Sequence, residues 1–266
     1  MISAERRKQI LELVEKRSSI SVAEMCEMLD VSEMTIRRDL SMLSNQGLLQ
    51  RVHGGAVSRR GRSYEPPYLM RSSINVNDKH AIGEIATSLV VDGDSLVLDN
   101  GSTVLELAKL LVGKRNLTVL TASLAVANIL ADAPGIRLIL SGGILRPEEG
   151  SLIGHIAERT FQEFRIDKAF IGIGGISLEN GLTEYNLEDT LVKRNLINNA
   201  EQIIVLADSS KLGKTRFSFV APLSVVDVLI TDSRVSEDIL QGYRVQGIEV
   251  LTTTSDDNNY LEVDDL

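Results

Sequence analysis

The sequence predicts an α/β chain in two parts: an N-terminal winged helix-turn-helix and a C-terminal, mostly parallel α/β domain. Three observations predict it. Two short helix signals flank a tight turn in SVAEMCEMLDVSEMTIRRDLSML, residues 21–43, and a small glycine-containing hairpin follows. From Lys79 onward, apolar strand signals and amphipathic helix signals alternate. Charge divides the same way. Residues 1–62 hold 11 Lys+Arg against 8 Asp+Glu, a net +3, whereas residues 63–266 hold 17 against 29, a net −12. The front of the chain favours polyanions and the rest does not.

The elements follow in order. Residues 3–16 read as a helix with an apolar stripe of Ile10, Leu11, Leu13 and Val14 and with Arg6, Arg7, Lys16 and Arg17 exposed. Ser21 and Glu24 have the spacing of a capping box, which starts a short second helix ending near Leu29. Asp30-Val31 makes the turn. Ser32 is a good N-cap for the third helix, and Glu33 suits the positive end of its dipole. Ile36, Leu40 and Leu43 share its inner face, leaving Thr35, Arg38 and Met42 outward with Arg37 and Ser41 beside them. Leu49–Val52 reads as a strand, His53-Gly54-Gly55 as its turn, and Ala56-Val57 as the return.

This arrangement lays one helix in the major groove of DNA, with the N-terminal end touching base edges. Ser32, Met34, Thr35, Arg37 and Arg38 sit at that end. Arginine there bonds guanine bidentately or grips phosphate, and the pattern does not say which of the two does which. Arg51 and His53 are placed to approach the backbone or minor groove. The domain reading is therefore 1–58 for DNA binding and 59–78 for an extended linker rich in Arg, Ser and Pro-Pro. Residues 79–254 form an α/β sensing domain, and 255–266 an acidic, disordered tail. Arg59, Arg60 and Arg62 are candidates for further phosphate contacts.

In the body, DSLVLD, LTVLTA, RLILSGG, KAFIGIGG, QIIVLAD and DVLITD read as buried strands, with helices at 103–112, 124–132, 155–164 and 186–200. Ligands in such folds gather in loops at the carboxyl ends of strands. The unusual residues gather there too. They are Asp99, Gly101, Ser102 and Thr103 after one strand, and Gly142 and Gly143 after another. Gly174 and Gly175 follow a third with Thr183 beyond, and Asp208 and Lys211 follow a fourth. Glycine lets backbone approach closely, hydroxyls donate, a helix N-terminus attracts an anion, and Lys211 adds a cation. A small anionic ligand is expected. The glycines form neither G-x-G-x-x-G nor a P-loop, so no nucleotide cofactor is indicated. His53, His80 and His155 are isolated, so no metal site is indicated.

Composition narrows the class. The single cysteine, Cys26, cannot staple the chain and reads as a small buried apolar group. The N-terminal MISAERRKQI has no apolar core of a signal peptide, and no apolar run reaches membrane-spanning length. A soluble cytoplasmic protein is expected.

The chain resembles the DeoR-family, or DeoR/GlpR-type, transcriptional regulators from about residue 3 to 253. The resemblance rests on Ser32-Glu33-Met34-Thr35-Ile36-Arg37-Arg38-Asp39-Leu40, the His53-Gly54-Gly55-Ala56 wing, and the Glu65, Pro67, Arg71, Asn75 and Lys79 pattern. It continues through Asp99-x-Gly101-Ser102-Thr103, Gly142-Gly143, Asp167-Lys168-Ala169-Phe170, Gly174-Gly175, Gly181-Leu182-Thr183 and Asp208-Ser209-Ser210-Lys211. It implies a sensing domain similar to ribose-5-phosphate isomerase. It also implies a repressor of a carbohydrate uptake or catabolism operon, released by a phosphorylated sugar or related metabolite. Thr121-Ala122-Ser123 stands where the family commonly has Thr-Asn-Ser, which adds Thr121 to the candidate ligand contacts and removes an amide. Symmetric DNA reading implies a homodimer or homotetramer. Two other functions fit parts of the pattern: a constitutive DNA-binding oligomer, and a sugar-phosphate isomerase using Glu184 or Glu188 as base.

Overall fold

The computed structural model describes residues 3–17, 19–45, 48–57 and 61–254. They fall into two compact units, Met1–Pro66 and Pro67–Leu266. The expected tail at 255–266, and Arg59 and Arg60, lie outside the described residues.

The first unit runs α1 (Ser3–Arg17), β1 (Ser19–Ser21), α2 (Val22–Leu29), α3 (Glu33–Asn45), β2 (Gln50–Val52) and β3 (Gly55–Val57). The capping box forms. Ser21 Oγ accepts the Glu24 N–H at 3.2 Å, and the Glu24 carboxylate accepts the Ser21 N–H at 2.8 Å. The Ser21 hydroxyl, donating at 2.7 Å, and then the Ser21 N–H hold the Glu24 carboxyl below its ordinary value. Asp30 ends α2 by entering the left-handed region at φ 50°. Ile10, Val14, Met25, Ile36, Leu40 and Leu43 then close a common core.

Two details differ from expectation. Strand β1 carries only three residues, too few for an alternating pattern to show, yet Ile20 is buried and β3 lies between β1 and β2. Arg6 is not exposed. Its Nε meets Asp39 at 2.6 Å, and Asp39 is buried in α3, so the pair ties α1 to α3.

The second unit opens with α4 (Tyr68–Ser73) and α5 (Val76–Ser88). Half of the expected linker is thus helical. Pro67 fits a helix start because its missing N–H would be unsatisfied there anyway. Tertiary bonds from Arg71 and Lys79, invisible to local propensity, hold the short helix.

Next come β4 (Ser95–Leu98), α6 (Ser102–Leu111), β5 (Leu117–Thr121), α7 (Leu124–Leu130), β6 (Ile136–Leu140), β7 (Ile144–Arg146), β8 (Ser151–Ile153) and α8 (His155–Gln162). After them run β9 (Ile166–Gly172), β10 (Gly175–Ser177), β11 (Gly181–Glu184), α9 (Leu187–Asn198) and β12 (Ala200–Leu206). The unit closes with β13 (Ser218–Ala221), β14 (Val228–Thr231), α10 (Glu237–Val245) and β15 (Glu249–Thr252).

Seven strands form a parallel sheet in the order β15-β14-β12-β9-β4-β5-β6. Alternate side chains point to opposite faces, so Leu96 and Leu98 join a core with α5, α6 and α7, while Val97 joins one with α8, α9 and α10. The chain runs outward from β4 through β5 and β6, then returns to pair β9 on the other side of β4. That reversal is the topological switch point, where such sheets open a crevice at their carboxyl ends. Among the described residues, no helix is long and apolar enough to cross a membrane.

Candidate DNA-binding surface and ligand site

On α3 the outward residues fall as the spacing predicts. Met34 is 81% exposed, Arg37, Arg38 and Met42 are exposed, and Thr35 is half-buried. Ser32 Oγ lies 2.9 Å from Thr35 Oγ1 and 3.4 Å from its N–H, which caps the helix. The two arginines differ. Arg37 is engaged by Glu33 one turn earlier, at 2.9 Å and 2.5 Å. Arg38 makes no hydrogen bond or ion pair through its side chain among the described residues. Arg51 donates to Ser41 Oγ at 2.6 Å, so it pins the wing to α3. His53 is exposed in the wing turn. A cavity of 480 Å³ opens between the start of α2, α3 and the wing, lined by Ala23, Cys26, Glu33, Arg37 and Gly54 among others.

In the second unit the predicted residues separate into two sets. One set is structural. Asp99 is buried at the end of β4, accepts the Gly172 N–H at 3.1 Å and pairs with Lys193. Thr121 is fully buried, and its hydroxyl links the Leu98 carbonyl to the Ser123 N–H. Thr183 Oγ1 joins the Gly175 carbonyl to the Arg216 N–H. Asp208 caps the turn Ser209–Lys211 through the Ser210 N–H. Gly142 has φ 68°, and Gly143, at φ 122°, leaves no room for a Cβ against the Ile153 carbonyl. A Cβ on Gly174 would stand 2.8 Å from Glu184 Oε2 and 2.9 Å from the Tyr185 ring. These groups hold the loops in place.

In the other set, polar groups lack partners, though Ser102 and Thr103 are each only 8% exposed. Gly101 precedes α6, and Ser102 and Thr103 form its first turn. Neither hydroxyl has a hydrogen-bond partner among the described residues. Asn100 Oδ1 beside them is buried and unpartnered. Lys211 lies 6.0 Å above the Tyr185 ring and Arg216 lies 4.8 Å from it. Neither cation pairs with a carboxylate among the described residues. Arg216 Nε donates to the Gly174 carbonyl at 2.9 Å, which fixes it at the β9 end.

Lys193 is the centre of the loop scaffold. Its ammonium pairs with Asp99, approaches Glu184 at 3.4 Å and donates to the Gly172 carbonyl at 2.7 Å. Burial opposes its charge, yet Asp99 and Glu184 hold its pKa above the usual lysine value. Among the described residues no cluster of His, Cys, Asp and Glu could hold a metal ion.

Residues 6–61 match the DeoR-like helix-turn-helix domain, and residues 74–233 match the DeoR C terminal sensor domain. The chain belongs to the DeoR family. The HTH-type transcriptional repressor GlcR of Bacillus subtilis (strain 168) is 37% identical over 257 residues, 97% of this chain and 99% of that protein. The glycerol-3-phosphate regulon repressor of Escherichia coli (strain K12) is 32% identical over 241 residues, covering 91% and 95%. Among solved structures, ribose 5-phosphate isomerase A from Methanocaldococcus jannaschii is 20% identical at TM-score 0.40, covering 52% of this chain and 55% of that one.

This DeoR-family chain is thus a DNA-binding transcriptional regulator with an α/β sensor body. Sequence reasoning singled out the strand-end loops but not Lys193, Tyr185 and Arg216, which the structure sets beside them. Lys193 sits inside α9, where a lysine reads as solvated surface. Only the pairing of β4 with β9, residues far apart in sequence, brings it against Asp99. Arg216 lies in a segment with no periodic signal.

Proposed function

We propose that the chain represses an operon for uptake or breakdown of a carbohydrate and that a phosphorylated sugar or related anionic metabolite releases it. The observation that carries this reading is the set of unpartnered polar groups at the switch point. Unpartnered hydroxyls at the first turn of α6 suit a phosphate, because the helix dipole and free N–H groups favour an anion there. Lys211 and Arg216, unpaired and seated on Tyr185, supply positive charge near the neighbouring strand ends. The ligand must favour the state that binds DNA poorly. Arg38 is the base-reading candidate, with Met34 offered to a thymine methyl and Arg51 and His53 beside the backbone. Cooperative half-site reading makes a homodimer or homotetramer the working form.

Catalysis is not part of this reading. The Glu184 carboxylate accepts the Gly174 N–H at 3.1 Å and lies 3.4 Å from the Lys193 ammonium, so it is engaged in the loop scaffold. Glu188 is exposed on α9.

The test is fluorescence anisotropy on DNA from upstream of the chain's own gene, at fixed salt, with and without a pool of sugar phosphates. Binding weakened by the pool is expected. Lys211→Ala should keep operator affinity and blunt the response to the pool. Tight binding indifferent to a broad pool would leave a constitutive DNA-binding oligomer.

A further inference from the structure

Arg71, Asn75 and Lys79 stand four residues apart, and neither DNA reading nor the ligand loops use them. All three build the joint that follows the boundary between the units. Asn75 takes φ 54° and separates α4 from α5. Lys79 is 4% exposed, and its ammonium donates to the carbonyls of Arg71 and Ile74, the latter at 2.7 Å. Arg71 pairs with Glu149, whose side chain is 2% exposed. An ion pair this buried is conformationally selective, because breaking it strands a charge.

Glu149 lies in the turn between β7 and β8. At the base of that turn, Arg146 pairs with Asp189 near the start of α9. Asp189 also accepts from Ser151 Oγ at 3.0 Å and from Asn186 Nδ2 at 2.9 Å. One helical turn further along α9 stands Lys193, which holds Asp99, Glu184 and the Gly172 carbonyl. Three charge pairs, Arg71–Glu149, Arg146–Asp189 and Lys193–Asp99, are therefore strung together by the β7–β8 turn, where the Glu149 N–H donates to the Arg146 carbonyl at 3.3 Å, and by one turn of α9. One end is the first helix after the DNA-binding unit, and the other is the switch-point crevice.

We propose that this chain of paired charges carries the coupling between the ligand loops and α4, with Arg71 and Glu149 as its positioning residues. It rests on the reading of those loops as a ligand site. Movement of a strand-end loop shifts Lys193 and α9. The Arg146–Asp189 pair passes that shift to the β7–β8 turn, and Glu149 passes it to α4. The pairs are joined by turn backbone and by one turn of α9, so displacement is transmitted instead of being absorbed by rotamer changes.

By reciprocity, operator binding must perturb the same path without any ligand. The experiment is hydrogen exchange of the full chain with and without operator DNA. In the wild type, operator should change exchange in residues 68–79, 144–153 and 186–193, by about threefold or more in the affected amides. Arg71→Gln and Glu149→Gln should still bind operator, yet lose the operator-dependent change at 186–193. The double variant Arg71→Gln/Glu149→Gln, which strands no charge, should behave the same, and Arg71→Lys should restore the effect. Operator-dependent protection at 186–193 that is absent from the wild type, or undiminished in the double variant, overturns the proposal. A pool of glycerol 3-phosphate and hexose 6-phosphates, titrated on the wild type by thermal shift, decides the ligand reading separately.

Discussion

The two units treat the same kinds of charge in opposite ways. On α3, Arg38 is exposed and unpaired, and even the engaged Arg37 keeps 54% of its side chain in water. In the body, Lys193 keeps 4% and is surrounded by two carboxylates and a carbonyl. Charges on α3 stay solvated, as suits a surface whose opposite charge a partner such as DNA would supply. Charges at the strand ends of the body shape the loops, and only a few remain unpaired among the described residues. A motif in the first unit therefore leaves its charges mostly in water, and a motif in the second ties them mostly into the scaffold.

The largest effect should come from breaking that scaffold. Lys193→Met leaves Asp99 and Glu184 buried without their counter-ion, which should cost about 3–5 kcal/mol. For a body of this size, melting followed by circular dichroism should fall by about 10 °C. Adding Asp99→Asn and Glu184→Gln removes the stranded charges and should recover much of the loss. Arg38→Ala, on the exposed side of the comparison, should leave the melt unchanged. Equal melting of Lys193→Met and wild type would end the claim that the body's charges are structural.

Lys79 sharpens the same contrast, because it is buried without a carboxylate in contact. Burial lowers its pKa from 10.5 to about 8, with Asp208 and Glu106 opposing the shift and Lys211 and Arg71 reinforcing it. Between those values the unfolded chain holds a proton that the folded chain has released. Stability contributed by this group therefore rises with pH across that window, by at most about 3 kcal/mol. Below about pH 8 both states are charged and the full burial cost applies. The wild type should gain on Lys79→Met between pH 8 and 10.5 in paired chemical denaturations. A constant difference across that range would show that the ammonium is not desolvated.

How much was legible follows from the same contrast. The helix-turn-helix could be read because capping, turn and apolar spacing are local: Ser21 and Glu24 are three residues apart, and Ile36, Leu40 and Leu43 lie on one helix. The strands could be read because both faces are buried, so they appear as continuous apolar runs. Arg6 with Asp39, Arg71 with Glu149, and Lys193 with Asp99 could not, since the partners in each pair stand more than thirty positions apart in sequence. The glycines at strand ends were visible, but their reason was not. Gly174 is small because Glu184 and Tyr185 press on it, which no local pattern records.

Within the first unit, the two arginines offer a finer comparison. Arg38→Ala should cost about 1–3 kcal/mol of operator binding and relax discrimination at one base position, if it reads guanine. Uniform loss across sequences, with the salt slope reduced by about one, would make it a phosphate contact. Arg37→Ala should cost less, since Arg37 must first leave Glu33. Competition assays on operator variants separate these outcomes.

The smallest effect comes from the partner of that pair. Glu33 sits in the first turn of α3, where its charge suits the helix dipole and holds Arg37. Its side chain is 61% exposed, so the pair itself contributes only about 0.3–0.5 kcal/mol. Glu33→Gln should therefore lower the melting temperature of the unit only slightly. It should also remove a negative charge from the edge of the DNA-facing helix and free a guanidinium. Affinity should rise for operator and for unrelated DNA alike, with a steeper salt dependence, because an unpaired arginine releases counterions without reading sequence. A gain confined to the operator would instead mean that Arg37 reads a base once Glu33 lets it go. The division of labour between the two arginines would then be set by Glu33 and not by their positions on the helix.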